Sequence, residues 1–582
     1  MSDPSIRIDR NVEMQTRDGV TLRADVVRPD IASKVPAILA RTPYDKSMQF
    51  NMMRGLAPVD AAINGYAFVI QDIRGRYASE GEWDFVNLKS ANEDDGYDSV
   101  EWVASQDWCD GNVGMAGGSY VAVTQWSAAL ADPPHLRAIS PALMGMSPSA
   151  ALAHLLPLES MTIGWMAGLA VDRLTRLLSE GQANPADFMK VLEAMSQPEK
   201  ASAVLPLNDL MVLESIGMPR YGEVDDLVTN VAADAGEERF KVPALWSAGW
   251  YDNAGGGSMF HVMREKGATE IARSDSRLIM GGWTHNYALN FVGSFGLGGL
   301  GSADGAGLSI LHRTFYDRHL KGMDVDLPPV RYFVMGERVW RDAENWPIPG
   351  TDFRRMYLHS KGKANSNRGD GALSLDTPAA SEAPDRFTSD PMDPVPSWGF
   401  RVMYTGGTTV AGPFEQMRVE QREDVLVYTS EPLQEAWEVV GDIDLHLYLS
   451  STATDTDIVA KLCVVWEDGS SFNLADGALR LRRREGALNQ KLIEPGQVYP
   501  ITIELGPTGY KFEPGMRIRV QIASTAFPHL ARNTQTGGVI EEDPVGQVAE
   551  NTIFHDAEHP SYVVIPVQPD PPPPAVMTHL LG

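Results

Sequence analysis

The sequence predicts an α/β core carrying an inserted helical segment, followed by an all-β domain. Three observations predict it. Short apolar runs alternate with amphipathic stretches up to about residue 145, the apolar period becomes 3.6 residues from about 146 to 240, and strict two-residue alternation takes over after about 353. The 582 residues, 43% hydrophobic and 22% charged, are enough for several folding units around a sizeable core.

In the first section the apolar runs at 20–27, 35–41, 67–72, 113–117 and 136–140 read as strands. A helix is expected over 91–105, with Tyr97, Val100 and Ala104 on one face. Such runs are buried on both sides, as in a parallel sheet. Two more strands are expected at 244–248 and 277–281, and a closing helix at 311–321. Between the two sets, Leu152, Leu155 and Leu156, then Leu174, Leu177 and Leu178, are spaced as helix faces and read as an inserted cap. Further on, Ile443, Leu445, Leu447 and Leu449 alternate with Asp444, His446 and Tyr448, and Ile518, Val520 and Ile522 with Arg519 and Gln521. Period two means half-buried strands, and the turn signals around Gly469 and Gly515 favour a β-sandwich of jelly-roll type. The polyproline tail at 571–574 is not expected to join a sheet. The expected boundaries are 1–145 with 241–352 for the core, 146–240 for the cap and 353–582 for the β domain.

Charge and composition exclude whole classes of function. The 77 acidic against 49 basic residues give a formal charge of −28, which repels nucleic acid and anionic membranes. Two cysteines, Cys109 and Cys463, are too few for a disulfide framework and suit a reducing compartment. The start MSDPSIRIDR lacks a signal-peptide core, and no uninterrupted apolar run approaches the roughly 18 residues of a membrane span. A soluble cytoplasmic protein is therefore expected. Motifs for zinc, calcium or nucleotide phosphate are missing, so neither metal nor cofactor is expected. The expected partner is a small molecule, and self-association into a homo-oligomer is compatible with the sequence.

Chemistry points to one serine. Gly117-Gly118-Ser119-Tyr120 stands where strand 113–117 must turn into a helix, the setting of a nucleophile elbow. The glycine two places before the serine relieves crowding at that turn. The same G-x-S triplet recurs at Ser147, Ser258, Ser309 and Ser471. Ser147 is followed by Pro148, which has no N–H for an oxyanion, and the other three lack a buried strand leading into them. The competing reading of Ser119 is a helix N-cap. A serine nucleophile needs a base held by an acid, in the order serine, acid, histidine for sheet hydrolases. Asp252 follows the run at 244–248 and His285 the run at 277–281, each just past a strand's C-terminal end, where ligands gather in open α/β sheets. Alone, Asp252 reads equally as a turn residue and His285 as a surface or core histidine. The order and placement of all three favour catalysis. For the oxyanion, the Tyr120 amide supplies one donor, and the Tyr44 phenol, after strand 35–41, is a candidate for the second or a packed turn residue.

With their flanks these residues resemble the CocE/NonD hydrolase family, close to its cocaine-esterase branch. The resemblance is carried by Pro43-Tyr44-Asp45-Lys46, Gln71-Asp72-Ile73-Arg74-Gly75, Ala78-Ser79-Glu80-Gly81-Glu82, Trp108-Cys109-Asp110-Gly111-Asn112, Phe315-Tyr316-Asp317-Arg318-His319 and Thr536-Gly537-Gly538-Val539-Ile540. It implies an α/β-hydrolase core with an inserted helical cap and a C-terminal jelly-roll domain, acting as a carboxylesterase on small esters. It also implies the triad Ser119, Asp252 and His285, with the Tyr44 hydroxyl and Tyr120 amide as oxyanion hole. Trp165 then looks like a wall of the acyl pocket, although helix-face packing explains a tryptophan as well. Two departures stand out: Ala122 where the elbow usually has glycine, and Ala254, two places after the acid, where cocaine esterase has an aromatic residue. The acyl pocket is therefore expected to be reshaped, and cocaine is not carried over as substrate. Within the same chemistry an amidase, α-amino-acid ester hydrolase or X-prolyl dipeptidyl-peptidase is the alternative. Its amine anchor would fall on Glu223, Asp225 and Asp226, which serve equally as surface acids. A catalytically silent binding protein using the jelly roll is the alternative from another class. The glycine-rich stretch 293–307 reads as a mobile loop near the site rather than a phosphate cradle.

Overall fold

The computed structural model describes all residues except 1–4, 49–54, 84–87, 145–158, 198–199, 201–202, 204, 207–235, 253–255, 288, 403–409, 487–488, 540–541 and 578–582. Ser147, Leu152, Leu155, Leu156, Glu223, Asp225, Asp226 and Ala254 therefore lie outside the described residues.

A ten-stranded sheet forms the first half, in the order β1 (Ile6–Gln15), β2 (Thr21–Pro29), β4 (Ala67–Asp72), β3 (Val35–Thr42), β5 (Cys109–Gly118), β6 (Leu136–Ala142), β7 (Leu245–Gly249), β8 (Arg277–Gly281), β11 (Val330–Val334) and β12 (Val339–Ala343). The strands β9 (Phe291–Val292) and β10 (Phe295–Gly296) form a separate small hairpin. Neighbours from β4 across to β11 run parallel, and β3 and β4 are buried at every residue, which is why they read as unbroken apolar runs. The sheet is nonetheless mixed rather than purely parallel, because β1, β2 and β12 pair antiparallel with their neighbours.

The helices around this sheet are α1 (Pro58–Ile63), α2 (Leu88–Ala104), α3 (Tyr120–Leu130), α4 (Glu159–Ser179), α5 (Pro185–Ser196), α6 (Gly256–Lys266), α7 (Glu270–Ser274) and α8 (Leu308–Lys321). Helix α3 is buried along nearly its whole length, as its VAVTQWSAAL sequence requires. The inserted segment supplies α4 and α5. Ile163, Met166, Ala167, Ala170 and Leu174 recur at helical spacing on α4 and are buried with Val191 and Ala194 of α5. Of the leucines expected on this face, Leu174 is fully buried and Leu178 packs at the edge of the cluster.

From Asp352–His359 to Tyr562–Gln568 the chain forms an eleven-stranded sheet system. Its longest member, Trp437–Ser451, pairs antiparallel with Tyr499–Phe512. Ile443, Leu445, Leu447 and Leu449 point into the core while Asp444, His446 and Tyr448 are half-buried, in keeping with the alternation.

The two halves share an interlocked boundary. Phe295 of β10 lies among Trp466, Phe472 and Tyr510, with ring centroids 5.4–6.0 Å away. A Cβ on Gly509 would lie 2.7 Å from the Trp250 ring, so only glycine fits there. Met335 N–H donates to the Gly509 carbonyl at 2.8 Å, and the Tyr251 hydroxyl donates to the Asn473 carbonyl at 3.1 Å.

Two expectations need correction. The glycine-rich stretch 293–307 is not a loose loop, because Ser294 N–H donates to Pro413, and the indoles of Trp283 and Trp340 donate to the carbonyls of Gly301 and Leu300 at 2.6 and 2.9 Å. Glycine content signalled freedom, whereas tertiary hydrogen bonds remove it. The proline-rich tail does meet a sheet. Proline cannot donate, but Pro572 accepts from the Arg341 guanidinium, Pro574 bridges Arg341, and the following Ala575 N–H reaches the Trp340 carbonyl at 2.7 Å on edge strand β12.

Candidate active site

Strand β5 delivers Ser119 into a sharp turn before α3. Gly117 has φ 135°, and a Cβ there would stand 2.2 Å from Val121 Cγ1, so the turn admits no side chain. Ser119 has φ 60° and ψ −126°, a region costly for an L-residue, and its N–H is held at 2.9 Å by the Ala142 carbonyl at the end of β6. Although Ser119 is the N-cap residue of α3, its side chain makes no capping hydrogen bond. The helix-cap explanation therefore fails for this hydroxyl, and the residue is half-buried. Ala122, the departure from the usual elbow glycine, is fully buried within α3.

Past the ends of β7 and β8 the two chains keep holding each other. Trp250 N–H donates to Gly281 at 3.0 Å and Tyr251 N–H to Trp283 at 2.9 Å, and a Cβ on Gly249 would come within 2.3 Å of the Trp283 carbonyl. This pairing sets Asp252 beside His285. His285 Nδ1 lies 3.2 and 3.1 Å from the two carboxylate oxygens of Asp252, whose side chain is wholly buried while the imidazole is 21% exposed. An ionised carboxylate only accepts, so the proton is assigned to Nδ1 and Nε2 is left as an acceptor. Nε2 has no protein partner among the described residues.

On the other side, β3 leads into the loop bearing Tyr44. The Tyr44 N–H donates to Thr42 Oγ1 at 3.0 Å, and Lys46 fastens the loop to the end of β4 through Asp72, by its N–H at 2.7 Å and its ammonium at 3.2 Å. The Tyr44 hydroxyl accepts the Trp165 indole N–H at 3.0 Å. Surrounding protein pushes its pKa up to about 12, with the Trp165 indole and Ser119 offsetting part of the rise, so Tyr44 is a neutral phenol at physiological pH. Tyr120 is buried at the first position of α3, where the N–H has no acceptor within the helix. Its ring meets those of Tyr44 at 6.3 Å and Trp165 at 6.4 Å between centroids.

The structure thus brings together Asp252 with His285, and Tyr44 with Trp165 and with Tyr120, the neighbour of Ser119 in the chain. No hydrogen bond joins Ser119 to His285 among the described residues. Such contacts are often long in unliganded hydrolases and tighten with substrate. One participant escaped the sequence reading. Arg76, fully buried, donates from Nε to the Pro43 carbonyl and from Nη1 to the Leu169 carbonyl of α4, both at 3.0 Å, and faces Asp172 at 3.7 Å. A lone arginine in a turn carries no signal of that bridging position. Among the described residues no cluster of three or more metal-ligating side chains occurs, and no described helix is long and apolar enough to cross a membrane.

The sequence model of the X-Pro dipeptidyl-peptidase (S15) family matches residues 18–287, and that of the X-Pro dipeptidyl-peptidase C-terminal non-catalytic domain matches residues 322–564. The chain is 36% identical to the cocaine esterase of Rhodococcus sp. (strain MB1 Bresler), over 97% of this chain and 100% of that protein. It belongs to the CocE/NonD family of serine hydrolases. The fold is also that of an aminopeptidase from the marine sediment archaeon Thaumarchaeota archaeon, with a TM-score of 0.75 at 23% identity over 97% of this chain and 96% of the other. An α-amino acid ester hydrolase superposes with a TM-score of 0.74 at 24% identity, covering 97% of both chains. As a CocE/NonD member the protein is an enzyme, a serine hydrolase with ester-cleaving chemistry, built from an α/β catalytic part and a C-terminal part rich in β-sheet.

Proposed function

We propose that this CocE/NonD hydrolase cleaves small carboxylic esters through an acyl-enzyme on Ser119, with His285 as base and Asp252 as its orienting acid. The reading rests on one observation above all: an imidazole locked by a buried carboxylate stands at the same sheet edge as a strained serine whose hydroxyl does not cap its helix. In support, the strand bearing Asp252 is two positions from the strand bearing Ser119, about 10 Å at the usual strand spacing.

In the reaction His285 Nε2 takes the Ser119 proton as Oγ attacks the ester carbonyl. The Nδ1–H to Asp252 hydrogen bond keeps the ring in the correct tautomer and stabilises the imidazolium. The tetrahedral oxyanion receives the Tyr120 N–H and the Tyr44 O–H, and a phenol pushed up to about 12 keeps its proton for that donation. Imidazolium then protonates the departing alcohol, and water, activated by the same ring, releases the acid.

Trp165 is assigned to the acyl pocket. Ala254, two places after the acid, is the position at which the acyl preference is expected to be reshaped. The remaining assignments are a core of 1–145 with 241–352, a cap of 146–240 and a jelly roll of 353–582. In support, β12 ends at Ala343, and the next strand, Asp352–His359, pairs with Tyr562–Gln568 of the other sheet. Two free, buried cysteines suit a cytoplasmic location.

Replacing Ser119→Ala should lower turnover of p-nitrophenyl acetate by about six orders of magnitude and abolish labelling by a fluorophosphonate probe. Parental turnover in that variant would refute the assignment.

A further inference from the structure

The Trp165 indole does more than face a pocket. Its Nε1–H donates to the Tyr44 hydroxyl oxygen at 3.0 Å. A phenol oxygen has two favourable in-plane directions, one for its own proton and one for an incoming donor. An N–H that occupies one direction sends the O–H into the other. It also polarises the O–H, since chained hydrogen bonds strengthen one another by about 10–30%. The tryptophan is carried by α4 of the inserted segment, while Tyr44 sits on the loop after β3. Those two pieces are clamped by Arg76, which bonds the Pro43 carbonyl next to Tyr44 and the Leu169 carbonyl one turn along from Trp165. The Tyr44 and Tyr120 rings pack edge-on at 75°, which fixes the plane of the phenol.

We propose that Trp165 is a positioning residue of the oxyanion hole, acting through the Tyr44 hydroxyl, so that the inserted helical segment completes the catalytic machinery of the core. The inference rests on the reading of Tyr44 as an oxyanion donor. It separates two roles that one side chain can play: a wall that contacts the acyl group, and a donor that orients a catalytic proton. A wall makes the effect of substitution depend on acyl size. A donor to Tyr44 lowers the rate by one factor whatever the ester.

The test is a double-mutant cycle on the whole enzyme with a series of p-nitrophenyl esters from acetate to benzoate. Trp165→Phe removes the N–H and keeps an aromatic ring. With acetate, the acyl group too small to press on the pocket wall, its kcat should fall about 3- to 10-fold, the worth of one neutral hydrogen bond. Tyr44→Phe should cost on the order of 10² in kcat. In the Tyr44→Phe background, Trp165→Phe should cost less than about 2-fold, because the hydroxyl it served is gone. Installing benzothienylalanine, an indole isostere lacking the N–H, at position 165 repeats the test with the packing preserved and should reproduce the loss. The proposal is overturned if the Trp165→Phe loss with acetate persists in the Tyr44→Phe background, or if the isostere restores parental kcat. Unchanged turnover in Tyr44→Phe alone would instead sink the oxyanion reading of Tyr44, a separate outcome.

Discussion

Ser119 occupies a backbone conformation that glycine adopts freely and an L-residue does not, with φ 60° and ψ −126°. Such strain costs of order 1–3 kcal/mol and is kept only where the surroundings enforce it. Here β5 enforces it through the crowded Gly117 and through the Ser119 N–H bond to Ala142. Relief of the strain should be measurable: Ser119→Gly is expected to raise the urea midpoint relative to Ser119→Ala, by the equivalent of about 1 kcal/mol. Equal midpoints in the two inactive variants would mean that the turn stores no strain. At this scale the sequence was informative where chemistry and local geometry coincide, as in the glycine two places before the serine. It was silent on the Trp165 to Tyr44 bond and on Arg76, because these contacts join residues 121 and 33 positions apart that no local pattern relates.

The pairing of Asp252 with His285 is a property of two strand ends rather than of two side chains. Trp250 and Tyr251 continue the hydrogen bonding of β7 to β8 beyond the sheet, and Gly249 lets the Trp283 carbonyl come close. Gly249→Ala would place a methyl 2.3 Å from that carbonyl, so the two ends must part. The expected result is a fall in kcat of at least 10-fold with a smaller change in KM, since the imidazole loses its hold on the acid before the pocket changes shape. Steady-state kinetics across the ester series checks it, and parental kcat would show that the ends can spread without separating the pair. Central strands such as β3 and β4 were legible because burial on both faces writes an unbroken apolar run. β1, β11 and β12 went unread. β1 is an edge strand whose IRIDRNVEMQ mixes charge along both faces of the pleat, and β11 and β12 lie past the closing helix expected at 311–321, where no strand was expected.

Stability of the whole molecule should carry the mark of its buried imidazoles. His312 lies between β6 and β7, 3.0 Å from Ser140 and 3.5 Å from Ser247, and burial pushes its pKa down to about 4. Below the ordinary imidazole value of about 6.5, the unfolded chain holds a proton that the folded one refuses, so this residue's contribution grows as pH rises from about 4 to 6.5. His555 works the other way. Burial acts to lower its pKa, but the hydrogen bond to Asp385 and the charge of Glu382 outweigh that and raise it. Its contribution is complete below about 6.5 and fades as pH climbs through its folded value. His312→Asn should therefore flatten the rise in unfolding free energy between pH 4.5 and 6 by up to about 1.4 kcal/mol per pH unit, whatever the variant loses overall from the smaller side chain. Urea titrations at several pH values measure this, and parallel slopes would count against a neutral His312. A different consequence follows from Phe295 and Trp250, each seated in the β-rich half. Cut away from that half, the hydrolase portion would present an oily knob and a bare indole to water, and would lose the Asn473 anchor one residue from its acid. Shortening the chain to its chemistry would forfeit solubility and catalysis together, so anyone trimming or transplanting this enzyme has to move both halves as one piece.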